Sequence, residues 1–138
     1  MMSQCPCQSG KEYESCCGPI IDGSQAAPSA EALMRSRYTA FTKANIEYLQ
    51  NSLHPDYRAD FDPPSIKDWA ENSEWLGLKI INTSAGGQDD QEGTVEFLVL
   101  FRMQGVTYQH HEIGEFKRHN GMWYYMDGKV ITPDNTQP

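Results

Sequence analysis

Along residues 29–48 apolar side chains recur at helical spacing, with Ala30, Met34, Tyr38, Phe41 and Tyr48 on one face. Ser29 stands where an N-cap hydroxyl is needed and Glu31 falls in the first turn. The pattern weakens at Asn45, which leaves one long helix or two helices with a turn near "KAN", and His54-Pro55 ends the run. Pro63 and Pro64 then open a third, short helix through "SIKDWAEN", since proline is tolerated at a helix start. Beyond it the period changes. "WLGLKIINTS", "GTVEFLVLFRM", "VTYQHHEIGEFKR" and "GMWYYMDGKVI" are rich in β-branched and aromatic residues and are separated by glycine-containing turns, with Asn120-Gly121 a strong hairpin signal. Val95, Phe97, Val99 and Phe101 alternate with a mixed face of Glu96, Leu98, Leu100 and Arg102. Helices first and an antiparallel meander second predict an α+β domain whose helices cover one face of the sheet.

At 138 residues the chain is long enough for one domain with a core that needs no covalent staples. The formal charge of -8 argues against free nucleic acid as a partner, because such affinity rests on Lys and Arg displacing counterions. "MMSQCPCQ" has neither the basic start nor the apolar run of a secretory signal, and no stretch approaches the roughly 18 apolar residues of a membrane span. The expectation is a soluble, cytoplasmic protein without a membrane span.

That compartment bears on the cysteines. All 4 lie in "CPCQSGKEYESCC": Cys5 and Cys7 form a C-x-C pair, 8 residues follow, and Cys16 and Cys17 are adjacent. Thiols stay reduced in the cytoplasm, where a dense cluster is more often a metal site or a redox site than a disulfide framework. Two chelating pairs around one tight loop predict four converging thiolates; zinc is the usual structural ion for them and iron the alternative. Pro6 stiffens the first pair, Ser9-Gly10 permits a turn, "KEYES" supplies a helical turn, and Lys11 offers positive charge against the thiolates. The bland alternatives are two disulfides or four free thiols, which adjacent and C-x-C cysteines make awkward.

"CPCQSGKEYESCCG" resembles the SEC-C motif, which also forms the metal-binding tail of the SecA translocation motor. "LMRSRYTAF", "EWLGL", "HEIGEF" and "GMWYYMDG", in that order, resemble the bacterial YchJ-like family over nearly the whole chain. The resemblance implies a small metal-binding knob followed by a domain similar to nuclear transport factor two, a cone-like curved sheet wrapped around helices. Many members carry a second SEC-C motif at the C-terminus; this sequence shows "ITPDNTQP" there. The expected division is a metal motif over 1–19, a linker over 20–28 ("IIDGSQAAP"), a cone-like domain over 29–132 and a tail over 133–138. The small and polar residues of the linker predict a separable knob, whose loss leaves the main core intact.

A cone of this kind holds a cavity, and Arg37, Tyr38 and Glu112 are its expected lining. Tyr108, His110, Glu112, Gly114 and Phe116 share one strand face, with His111 and Ile113 on the other. A His and a carboxylate together suggest acid/base work, but no nucleophile, phosphate loop or carboxylate dyad accompanies them, so no catalytic residue is assigned. The structural reading has Glu112 meeting Arg37 in a partly buried ion pair. Trp69, Trp75 and Trp123 are expected in the core or the cavity wall, and His54 and His119 in loops. Three function classes follow. The first is a metal-stabilised adaptor that docks on a protein, for which the SEC-C resemblance implies an export chaperone or a ribosome-associated target. The others are a small-ligand binder or enzyme using the cavity, and a metal-handling protein.

Overall fold

The structure, a computed structural model, describes residues 4–131. The expected tail over 133–138 lies outside them. A 3-10 turn at Tyr13–Ser15 leads into α1 (Cys17–Asp22), followed by α2 (Ala30–Thr42), α3 (Ile46–Asn51), a 3-10 turn at Pro55–Tyr57 and α4 (Pro63–Asn72). The strands are β1 (Glu74–Ala85), β2 (Glu92–Met103), β3 (Val106–His119) and β4 (Met122–Val130). They form one antiparallel meander in the order β1-β2-β3-β4.

Local chemistry sets the boundaries. The Ser29 hydroxyl accepts from the Ala32 amide at 3.1 Å and caps α2. Ala44 turns the chain at φ 52°, and the Asn45 side chain accepts from the Tyr48 amide at 3.1 Å, so the weak point in the pattern is a break between two helices. Asn120-Gly121 and Gln104-Gly105 both take positive φ, as tight hairpin turns require.

Curvature comes from irregular pairing. Trp75 and Gly77 pair with the adjacent Phe101 and Leu100, and Ile80 and Asn82 with the adjacent Phe97 and Glu96, so Leu76 and Ile81 are extra residues that bend β1. A similar shift between Glu115 and Phe116 leaves Met126 extra in β4. The α2 N-terminus docks on the β1–β2 hairpin, where the Ala30 amide donates to the Gly86 carbonyl at 2.9 Å. Gly86 (φ +82°) lies so close to Ala30 and Gly93 that side chains at either glycine would collide.

Val95, Phe97, Val99 and Phe101 turn inward, as the alternation predicts, and pack with Leu33, Met34 and Tyr38 of α2. The cysteine cluster forms a small knob on this domain, but the knob is not detached. Cys5, Cys7 and Cys17 are buried in the same core as Met34, Tyr38 and Leu78, against the expectation that the main core excludes them. The segment expected as a linker begins as helix, since Ile20–Asp22 complete α1, and Ile21 and Ala27 pack on the core. The physical reason is that two chelating pairs turn their sulfurs inward, where they meet the apolar surface of α2 and β1. His54 lies in a loop, as expected, but is buried there: its Nδ1 accepts from the Asp56 amide at 3.2 Å, and its ring stands 5.1 Å from that of His119, which departs from its expected loop setting by closing β3.

Candidate functional site: a sulfur cluster and a cone cavity

Two polar clusters are built on different faces of α2. On the first, the four Sγ atoms of Cys5, Cys7, Cys16 and Cys17 lie within 4.8 Å of one another. Cys7 and Cys16 are 3.6 Å apart and Cys16 and Cys17 3.8 Å. A tetrahedron of thiolates at 2.3 Å from a central ion has sulfurs about 3.8 Å apart, so this donor set fits such an ion. Three of the cysteines are buried and Cys16 is half-buried at the edge. The Cys7 thiol is pulled down to about 4, chiefly by the S–H bond from Cys17 and against desolvation, while Cys17 is pushed up by the same contact. Burial pushes Cys16 up as well. Opposite shifts on Cys7 and on Cys16 and Cys17 are what crowded thiols show, and a bound cation would displace the remaining protons.

Contacts between the motif and the main domain fix the knob in place. The Arg35 Nη1 donates to the Cys7 carbonyl at 2.8 Å, and Cys5 Sγ lies 3.6 Å from the Thr39 hydroxyl. The Gln8 Oε1 accepts from the Leu78 amide of β1 at 3.1 Å, beside Gly77, where a side chain would crowd it. Lys43 Nζ sits 4.5 Å above the Tyr13 ring. Positive charge at the cysteines thus comes from Arg35 of α2, a residue outside the motif, besides the Lys11 to which the sequence pointed. Arg35 and Thr39 are one helical turn apart on the face away from the core stripe, a signal visible in the sequence once that face has a neighbour. Gln8 carries no such signal.

The second cluster lies inside the cone, in a cavity of about 240 Å³. Arg37, Tyr38 and Glu112 all line it, with Trp69, Trp75 and Phe41 as aromatic wall. Trp123 belongs instead to the buried core. The expected direct ion pair is not what holds Arg37 and Glu112. Arg37 Nη1 donates to the Leu49 carbonyl at 2.8 Å and the Ser52 hydroxyl at 2.6 Å, and its guanidinium carbon stands 4.6 Å from the Tyr125 ring centroid. Glu112 Oε1 pairs with His110 Nε2 at 2.8 Å, and Oε2 accepts from the Tyr125 hydroxyl at 2.5 Å. Tyr125 therefore stands between the two charges, its ring on one and its hydroxyl on the other. Burial pushes the Glu112 carboxyl up, but the hydrogen bonds from His110 and Tyr125 outweigh it and hold the group below the usual carboxylate range. Burial, with the Glu112 charge beside it, raises the Tyr125 phenol, so it remains a donor. Across β3 and β4, Gly114 pairs with Gly128, and the Glu112 carboxylate lies over Gly128 where a Cβ would stand. His111, on the opposite face as its position predicts, pairs with Glu96 at 2.7 Å.

Comparison with known proteins agrees with this two-part construction. The profile described as "YchJ, middle NTF2-like domain" matches residues 29–128, and that of the SEC-C motif matches residues 3–19. The chain belongs to the YchJ-like family. A UPF0225 protein of Geobacter sulfurreducens is 48% identical over 133 residues, covering 96% of this chain and 83% of the relative. One from Serratia proteamaculans is 40% identical over 136 residues, covering 96% and 87%. Among solved structures, a SEC-C motif containing protein of Rhodopseudomonas palustris superposes with a TM-score of 0.84 at 38% identity, over 93% of this chain and 98% of its own. A sec-c motif containing protein of Psychrobacter arcticus gives 0.78 at 28% identity, over 95% and 84%. Among the described residues of this YchJ-like chain, no helix is long and apolar enough to cross a membrane.

Proposed function

We propose that the protein is a metal-stabilised cytoplasmic adaptor, in which residues 1–19 hold a structural zinc ion and present a docking loop, and residues 29–132 form its rigid base. Residues 20–28 join the two parts and 133–138 form a tail. The observation that supports this reading is the orientation of the knob. Its sulfurs face the core while Gly10, Lys11, Glu14 and Ser15 of the intervening loop face solvent. A closed tetrathiolate site leaves no open position for chemistry, so its work is to hold that loop in one shape. Zinc fits four thiolates without electronic demands on geometry, and iron satisfies the same donors. Likeness to the SEC-C motif of SecA points to an export chaperone or a ribosome-associated protein as the partner.

The test is binding of the metal-replete chain to purified ribosomes and, separately, to a purified export chaperone. It is compared with a chelated sample and with the loop variant Lys11→Glu/Glu14→Lys, whose substitutions touch neither the sulfurs nor the core. Binding to one target that is lost in both the chelated sample and the loop variant supports the adaptor. Binding to neither target by the metal-replete chain overturns it.

A further inference from the structure

We propose that the cone cavity is a binding site for a small aryl carboxylic acid, its carboxylate taken by Arg37 and its ring by the aromatic wall. This goes beyond the adaptor reading and does not depend on it. Arg37 carries the argument. It is 8% exposed, and only its Nη1 bonds to protein acceptors among the described residues, the Leu49 carbonyl and the Ser52 hydroxyl. The fork made by Nε and Nη2 has no protein acceptor among the described residues, in a group that lines the cavity. That edge of the guanidinium is open to the cavity, and a carboxylate supplies two parallel acceptors that match the fork. The nearby anion does not serve, because both Glu112 oxygens are engaged by His110 and Tyr125. The Tyr125 ring, 4.6 Å from the guanidinium carbon, and the two Nη1 bonds hold the group in place, so the fork is held ready.

The rest of the cavity selects a ring. Phe41, Trp69 and Trp75 pack on one another with centroids 5.2 to 5.5 Å apart, in tilted and edge-on arrangements, and together form one aromatic wall of the cavity. A cavity of about 150 Å³ holds benzene. At about 240 Å³, this one has room for a phenyl ring and a short acid arm. Larger bicyclic or long-chain acids exceed it.

Phenylpropanoate is the probe, with phenylpropanamide and acetate as controls, titrated into the full-length metal-replete chain by calorimetry and followed by NMR at the Trp69 and Trp75 indole N–H. The inference expects saturable binding of phenylpropanoate with shifts at both indoles, binding of the amide about tenfold weaker or worse, and none of acetate. Because Arg37→Gln removes structural bonds and risks unfolding, the second variant is Ile66→Trp, which fills the cavity from α4 and leaves the Arg37 contacts in place. It should abolish phenylpropanoate binding while the protein stays folded. Equal affinity for the acid and the amide, undiminished binding by a folded Ile66→Trp, or no binding of phenylpropanoate to the wild type each overturns the proposal.

Discussion

The sulfur cluster and the cone cavity share α2, yet they are assembled in opposite ways. The four cysteines span 13 positions, and their convergence needs only one turn of local chain. The cavity's polar groups come from α2, β3 and β4, with Arg37 far in sequence from Glu112 and Tyr125. Locality does not make the first cluster independent, however. Arg35, Thr39 and Gln8 bind it to α2 and β1, and three of its sulfurs are core. The cavity, assembled from distant segments, is the part left with an unfilled interior, lined by the Arg37 guanidinium. A cluster can be local in sequence and global in energy, because burial depends on what packs against it.

The largest effect should come from the cluster. Cys5→Ser with Cys7→Ser is expected to lower the stability of the whole domain by about 4 kcal/mol or more, a fall of roughly 10 °C or more in melting temperature, since buried hydroxyls replace core sulfurs and the bound ion is lost. An unchanged melting temperature by circular dichroism would show the knob to be separable after all. Next, Arg37→Met should cost about 3 kcal/mol through the lost bonds to Leu49 and Ser52. In a double-mutant cycle with Glu112→Gln the coupling should stay below about 1 kcal/mol, because Tyr125 separates the pair; strong coupling in chemical denaturation would restore the direct ion pair.

Gly128→Ala should cost about 2 kcal/mol, because its methyl group takes the place of the Glu112 carboxylate. If that variant matched wild type in stability, Glu112 would have to rest elsewhere. A smaller signature lies in pH. The Glu112 carboxyl is held below its ordinary value in the fold, so it contributes stability above that value, and the contribution is lost as pH falls. Wild type should therefore lose more stability than Glu112→Gln on titration downward from ~pH 4.3, and parallel curves would contradict this. Finally, with metal bound all four thiols should resist alkylation, and after chelation Cys16 should react first because it alone is half-buried, access outweighing the readier ionisation of the buried Cys7. Mass mapping of a first adduct on Cys5 or Cys7 would contradict the buried placement.

Much of this was legible because it depends on short-range pattern. The C-x-C and Cys-Cys pairs imply converging sulfurs at any backbone geometry that closes the loop, and alternation along 95–101 implies which face of β2 is inside. Ser29, Asn45 and Asn120-Gly121 mark boundaries through bonds or dihedrals made within a few residues. Face assignments on β3 held for the same reason, since pleat alternation is unbroken from Val106 to Glu115.

What the tertiary structure decided are the facts that depend on where a bulge falls or what lies opposite. Three extra residues, Leu76, Ile81 and Met126, curve the sheet and reset the alternation on β1 and β4, so the aim of Tyr125 is not a matter of counting by twos. Tyr125 then replaces Glu112 as the neighbour of Arg37. The cysteine knob is core rather than appendage because α2 and β1 are the surfaces it meets, and neither its spacing nor the polar composition of residues 20–28 contains that meeting. Sequence by itself determined which groups can chelate, cap and alternate; packing between distant segments determined which of them share charge, water and burial.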